Sequence, residues 1–205
     1  MELIWDFDGT LFDTYPLMAR CLQRALLDEG VPADLAEIRR QMAVSLGTAF
    51  AHFSAGEAVI ARYKRYVEQS GPRAVAPFPG AEDVCARVVQ QGGHNHLFTH
   101  RGASARWYLR ESGLDRWFTC VVTDEDRLPR KPAPDGVLRI LERSGQPRES
   151  FVMIGDREID ILAAHAAGIR ACRFAPQAEE VSTEAEYRLR EYREFFDVVK
   201  EERGT

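Results

Sequence analysis

The chain has 205 residues, of which 45% are apolar and 29% charged, and its formal net charge is −5. That length and balance suit one globular domain, or a core with a smaller insert. They exclude the concentrated basic face of a nucleic-acid binder, and no apolar run approaches the roughly 18 residues that would suggest a membrane-spanning helix. Glu2 and Asp6 interrupt the first apolar stretch, so it does not read as a signal peptide. Cys21, Cys85, Cys120 and Cys172 show no disulfide or zinc spacing and read as reduced, buried thiols of a cytoplasmic protein.

In chain order, a short apolar run predicts a first strand over 3–6, and it stops at Asp6-Phe-Asp8-Gly9-Thr10. Two carboxylates one residue apart repel each other, and a metal ion is the counter-charge this pattern suggests. From 14 to 78 no strand pattern occurs. Helical patterns over 16–29, 34–43, 48–53 and 57–70 predict an all-helical insert that returns at Pro77-Phe-Pro-Gly80. In its first helix Leu17, Cys21 and Ala25 fall on related faces, with Met18, Leu22 and Leu26 as a second row. Beyond the insert, helices over 81–91, 103–112, 135–144 and 158–167 alternate with strands over 94–99, 119–123, 151–155 and 170–174. Gly92, Gly113 and Gly168 supply helix stops. Strand and helix alternating at this spacing imply a parallel α/β sheet. The charged tail after Pro176 reads as helical over 184–200, packed through Leu189, Phe195, Phe196 and Val199.

An open parallel sheet binds ligands beyond the carboxyl ends of its strands. Asp6 and Asp8 stand after the first strand, and Thr99 after the second, in HLFTHRG. Lys131 follows the third, in RKPAPD, and Gly155-Asp156 follow the fourth, with Asp160 four residues on. Singly, each has an ordinary reading: Asp and Thr cap helices, and Lys-Pro marks a turn. Independent caps would not supply these residue types in this order, each at a strand end. The set suits phosphoryl transfer. Mg²⁺ prefers oxygen ligands and takes one or two carboxylates, which Asp6 and Asp156 offer. With charge offset in this way, an aspartate can attack phosphorus. Lys131 and Thr99 can hold phosphoryl oxygens, and Asp8 can protonate a leaving oxygen and later deprotonate water.

DFDGT at 6–10, Thr99, Lys131 in RKPAPD and GDREID at 155–160 resemble, in order, the four motifs of the haloacid dehalogenase-like hydrolase superfamily. The resemblance covers residues 1–13 and about 79–175 and is specific as a joint pattern. The insert resembles the helical cap of subfamily IA, whose nearest look-alikes are phosphoglycolate-phosphatase-like enzymes. The resemblance implies a Rossmann-like parallel sheet ordered 3-2-1-4-5, with the core at 1–13 and 79–205 and a small all-helical cap at 14–78. It implies a Mg²⁺-dependent phosphatase that acts on a small phosphorylated metabolite, phosphoglycolate-like or a sugar phosphate, through an aspartyl-phosphate. Asp6 would be the nucleophile and a metal ligand. Asp8 would be the general acid/base and lend its backbone carbonyl to the metal. Thr99 would bind phosphate, Lys131 would stabilise nucleophile and phosphoryl group, and Asp156 would ligate Mg²⁺. Asp160 would support the metal directly or through water. The expected partner is the metabolite, with no nucleic acid and no membrane.

Two places depart from the family pattern. Arg157 stands where many relatives carry a small Ser or Thr, and His100-Arg101 follow Thr99 where Asn or Ser is more usual. A His-Arg pair beside a phosphate pocket adds anion affinity, so His100 and Arg101 join the expected phosphate-binding set; the alternative is a helix start facing solvent. Asp8 argues against a dehalogenase, because a halide leaving group needs no proton. A phosphonatase would need a cap amine, and Lys64, the only lysine of the insert, lies on a charged helical face. A β-phosphoglucomutase-like mutase uses two aspartates in the same arrangement and is the alternative. A non-catalytic binding module is a third reading, opposed by the presence of Asp6 and Asp156. On the cap, Asp13, Arg20, Arg24, Ser45, Leu46, Gly47, Thr48 and His52 are candidate substrate contacts. The stretch 45–48 reads as a glycine turn between helices. Arg20 and Arg24 form one helical row that meets either an anionic substrate or Asp28. The tail could serve a separate partner.

Overall fold

Glu2-Leu-Ile-Trp5 is buried from end to end, as a strand covered on both faces must be. In the computed structural model, which describes residues 1–176 and 183–199, it forms the centre of a sheet. In chain order the elements are β1 (Glu2–Trp5), α1 (Tyr15–Asp28), α2 (Leu35–Val44), α3 (Leu46–His52), α4 (Glu57–Ser70), α5 (Ala81–Gln90), β2 (His94–Phe98), α6 (Ser104–Ser112), β3 (Phe118–Val122), α7 (Asp135–Ser144), β4 (Phe151–Gly155), α8 (Glu158–Ala166), β5 (Arg170–Phe174), β6 (Tyr187–Leu189) and α9 (Phe195–Val198). Two compact units result, Met1–Phe12 with Pro77–Thr205, and Asp13–Ala76. None of the described helices is long and apolar enough to cross a membrane.

The larger unit carries a wholly parallel sheet in the order β3-β2-β1-β4-β5-β6. One face packs Ile4, Phe98, Val122 and Met153 against Val137 and Ile140 of α7 and Ile161 and Ala164 of α8. On the other, the indole N–H of Trp5 donates to Asn95 Oδ1 at 3.0 Å, and the Asn95 amide donates to the Cys85 carbonyl of α5 at 3.0 Å. The first five strands keep the expected order, and a sixth extends it. The tail is therefore not the single helix expected over 184–200. Tyr187–Leu189 pairs in parallel with β5, a 3-10 turn follows at Tyr192–Glu194, and α9 is short. An unpaired β5 edge favours a strand there, however charged the segment. Lys200, at the end of the expected helix, lies outside the described residues.

The smaller unit is all-helical. Pro16 stands in the first turn of α1, where a missing N–H costs nothing. Asp34 caps α2 by accepting the Glu37 N–H at 3.0 Å. Leu22, Leu26, Ile38, Met42, Val59 and Tyr63 build the core. Ser45 is both the last cap of α2 and the first cap of α3. The glycine turn expected at 45–48 is thus one residue long, and Gly47 lies inside α3.

Candidate active site

The loop after β1 is built by its own backbone. The Gly9 N–H donates to the Phe12 carbonyl at 2.9 Å and the Phe12 N–H to the Phe7 carbonyl at 3.0 Å. Gly9 makes this turn at φ 79°, a left-handed conformation that glycine adopts without steric cost. The Asp6 N–H continues the sheet to the Ile154 carbonyl at 2.9 Å, which brings Asp6 beside the end of β4. Tyr192 adds a hold from far along the chain: its hydroxyl donates to the Thr10 carbonyl at 2.9 Å.

Four of the groups expected at strand ends meet here. Lys131 Nζ donates to Asp6 Oδ1 at 2.5 Å and to Asp160 Oδ1 at 2.7 Å, and its side chain is 2% exposed. Oxygens of Asp6, Asp156 and Asp160 all lie within 4.8 Å of one another. Asp160 is committed on both sides, because its Oδ2 accepts the Arg157 N–H at 3.1 Å. Asp156 Oδ1 accepts the Thr10 hydroxyl at 3.3 Å. Gly155 makes the close approach possible, since a Cβ there would fall 2.2 Å from the Cβ of Asp160. The Lys131-Pro132 peptide is cis.

The charges in this cluster do not balance. Burial pushes the Asp6 carboxyl well above its ordinary value; Lys131 pulls it down, while Asp160 and Asp156 push it further up. Burial also disfavours a charged Lys131, but Asp160 and Asp6 outweigh it and hold the ammonium protonated. Three carboxylates therefore share one ammonium. A hard divalent cation fits such oxygen donors. Asp6 and Asp156 are the residues that would hold it, with Asp160 bracing Lys131 and the 155–160 loop.

Thr99 is buried, and its hydroxyl oxygen accepts the Arg101 N–H at 3.0 Å. That leaves its single O–H proton to donate. His100 and Arg101 are placed differently from a cationic pair free for phosphate. His100 Nε2 accepts the Lys131 N–H at 2.8 Å. Burial, then the Lys131 and Arg130 charges, lowers its pKa to about 4, so near neutrality it is an uncharged acceptor that fixes the Lys131 loop. Arg101 reaches Asp8 instead, through Nη2 to Oδ1 at 2.5 Å and Nε to Oδ2 at 3.4 Å, and its guanidinium lies 4.9 Å from the Phe7 ring centre. The Asp8 side chain thus stands apart from the three clustered carboxylates. No local sequence signal predicts the Arg101–Asp8, Thr10–Asp156 or Tyr192–Thr10 contacts, which join residues distant in the chain.

The remaining candidates lie in the smaller unit. The Ser45 oxygen accepts the Thr48 N–H at 2.9 Å, and the two hydroxyls are 2.7 Å apart, so both serve the start of α3. Gly47 and Arg20 are exposed, and Leu46 is half-buried against the helical core. His52 stands 3.4 Å from Glu37. The Arg24 guanidinium lies 4.2 Å from the Tyr66 ring centre, and Asp28 accepts the Tyr66 hydroxyl. The Asp13 N–H donates to the Ala76 carbonyl at 3.4 Å and joins the two ends of the unit.

Residues 3–174 match the family model described as haloacid dehalogenase-like hydrolase. A phosphoglycolate phosphatase of Xanthomonas campestris pv. campestris is 32% identical over 176 residues, which cover 82% of this chain and 79% of that protein. A candidate pyrophosphatase of Caldanaerobacter subterraneus subsp. tengcongensis is 30% identical over 173 residues, with coverage of 82% and 79%. Among solved structures, a subfamily IA hydrolase of that superfamily from Geobacter sulfurreducens aligns with a TM-score of 0.75 and 25% identity, over 96% of this chain and 94% of its own.

Proposed function

The chain belongs to the haloacid dehalogenase-like hydrolase family, and from that premise we propose that it is a Mg²⁺-dependent phosphatase that hydrolyses a small phosphate ester through an aspartyl-phosphate. One observation carries the reading: Lys131 bridges Asp6 and Asp160 within a cluster that also holds Asp156, so negative charge exceeds positive where a metal and a phosphoryl group would add both. The phosphatase-named relative at 32% identity supports the same reaction class.

Lys131 grips Asp6 Oδ1 and leaves Oδ2 as the attacking atom. Attack at phosphorus breaks the ester bond and leaves the phosphoryl group on Asp6. Lys131 and the Thr99 hydroxyl hold phosphoryl oxygens as charge shifts onto them. A bound Mg²⁺ would draw negative charge from carboxylate and phosphate and so lower their repulsion. Asp8 gives its proton to the leaving oxygen, then takes one from the water that attacks the aspartyl-phosphate. Arg101 Nη2 donates to Asp8 Oδ1 at 2.5 Å. The first step requires that pair to open.

The test is phosphate release from a panel of phosphoglycolate, sugar phosphates, pyrophosphate and nucleotides, with Mg²⁺ or with chelator. Mg²⁺-dependent release is expected, and Asp6→Asn should lower it by about a thousandfold or more. No release from any ester by the folded protein would overturn the reading. Conversion of a sugar phosphate in the presence of a bisphosphate primer would then identify a mutase.

A further inference from the structure

The end of the sheet away from the aspartates holds a second group of buried polar side chains. Glu2, at the start of β1, is 3% exposed. Its Oε1 lies 2.9 Å from His94 Nδ1 and its Oε2 lies 2.9 Å from His96 Nε2, while Ser144 Oγ donates to Oε2 at 3.1 Å. With Glu2 as acceptor, His96 carries its proton on Nε2 and turns an unprotonated Nδ1 the other way. That Nδ1 lies 3.2 Å from Thr119 Oγ1, and Cys120 is the register partner of His96 on the neighbouring strand β3. From α7, Arg143 Nη1 donates to Cys120 Sγ at 3.6 Å, and its Nη2 stands 4.0 Å from Asp126. Cys120 therefore lies between an imidazole oriented by a carboxylate and a guanidinium whose side chain is 46% exposed.

The other three cysteines lack this arrangement. Burial pushes the Cys172 thiol up to about 12, and it raises Cys85 and Cys21 as well. Burial also raises Cys120, but the neighbouring His96 and Arg143 outweigh it and hold the thiol below its ordinary value.

We propose that Cys120 is the reactive thiol of the folded protein, oxidised by small hydroperoxides to a sulfenic acid with Arg143 and the Glu2-oriented His96 as its activating groups. The thiol proton moves to His96 Nδ1. The sulfur lone pair forms an S–O bond to one peroxide oxygen as the O–O bond breaks, so sulfur loses two electrons and the peroxide gains them. The departing hydroxide or alkoxide takes the proton from His96. Thiol and hydroperoxide thus become sulfenic acid and water or alcohol. The charged and titratable groups around Cys120 are His96 from β2, Glu2 from β1, Arg143 from α7 and Asp126 from the turn after β3.

The test treats the folded full-length protein with hydrogen peroxide in the presence of dimedone and maps all four cysteines by peptide mass spectrometry. Cys120 should label about tenfold faster than Cys21, Cys85 and Cys172. Arg143→Gln, at a half-exposed position outside the active site, should slow that labelling several-fold, and His96→Asn should do the same. Labelling of Cys120 no faster than the other three overturns the proposal. So does an unchanged Cys120 rate in Arg143→Gln, which decides the matter if His96→Asn fails to fold.

Discussion

Strand β1 buries charge at both ends and settles it differently. At its amino end Glu2 meets His94, His96 and Ser144, and Arg143 meets Cys120, so the polar groups there answer one another. At its carboxyl end Asp6, Asp156 and Asp160 gather around Lys131. Glu2 and His96 at one end, and Asp6, Lys131 and Asp160 at the other, are buried enough for unpaired charge to be costly. The first closes on itself and contributes to the fold. The second has a deficit of positive charge, and such a deficit is where binding free energy for a cation can be stored.

The largest expected effect comes from widening that deficit. Lys131→Met leaves Asp6 and Asp160 buried without their cation, and chemical denaturation should show a loss of about 3–5 kcal/mol along with the loss of phosphate release. A variant of wild-type stability would show that the ammonium does not balance the cluster. Filling the deficit should act the other way: Mg²⁺ at about a hundred times its dissociation constant should stabilise the protein by about 2.7 kcal/mol, read as a rise in Tm. Asp156→Asn should remove that rise, whereas Glu2→Gln should keep it. At the closed end, Glu2→Gln deprives two histidines and Ser144 of a charged acceptor and should cost about 1–3 kcal/mol, with activity per folded molecule unchanged.

The smallest effect separates the two ends by pH. Burial opposes a charged His96, but the neighbouring Cys120 and Glu2 outweigh this and raise its pKa. Its stabilisation is therefore full below 6.5 and is lost as pH rises through the raised value. His100 is depressed to about 4 from 6.5, so the unfolded chain binds the extra proton in that window and stability falls as pH falls through it. Stability curves against pH should lose their alkaline slope near neutrality in His96→Asn and part of their acid slope in His100→Asn. Each contribution should be about 1 kcal/mol, and identical slopes in both variants would break the contrast.

The sheet was legible because its signals are local. Phe151–Gly155 is an apolar run, Arg170–Phe174 follows the helix stop at Gly168, and the structure keeps those bounds. Asp6, Lys131, Asp156 and Asp160 could be expected together because parallel strands must end on one side. Tyr187–Leu189 was hidden because three residues are too few to show a period of two inside a charged segment. The one-residue joint at Ser45 was hidden because Gly47 reads as a turn former, while the Ser45 hydroxyl capping Thr48 keeps it helical. Arg101 read as a free cation because its partner, Asp8, is brought close only by folding.

The Tyr192 hydroxyl on the Thr10 carbonyl has a consequence in the order of synthesis. Tyr192 is fully buried, stacked on Phe174 with ring centres 4.4 Å apart, and 5.3 Å from the Trp5 ring centre. A chain leaving the ribosome has exposed all four site motifs once Asp160 emerges. The loop that follows the nucleophile gains its latch only when Tyr192 arrives. The earliest motif of the chain thus waits for one of its latest segments, and a product cut short after Pro176 would carry every catalytic group but leave the loop after Asp6 without its fastening.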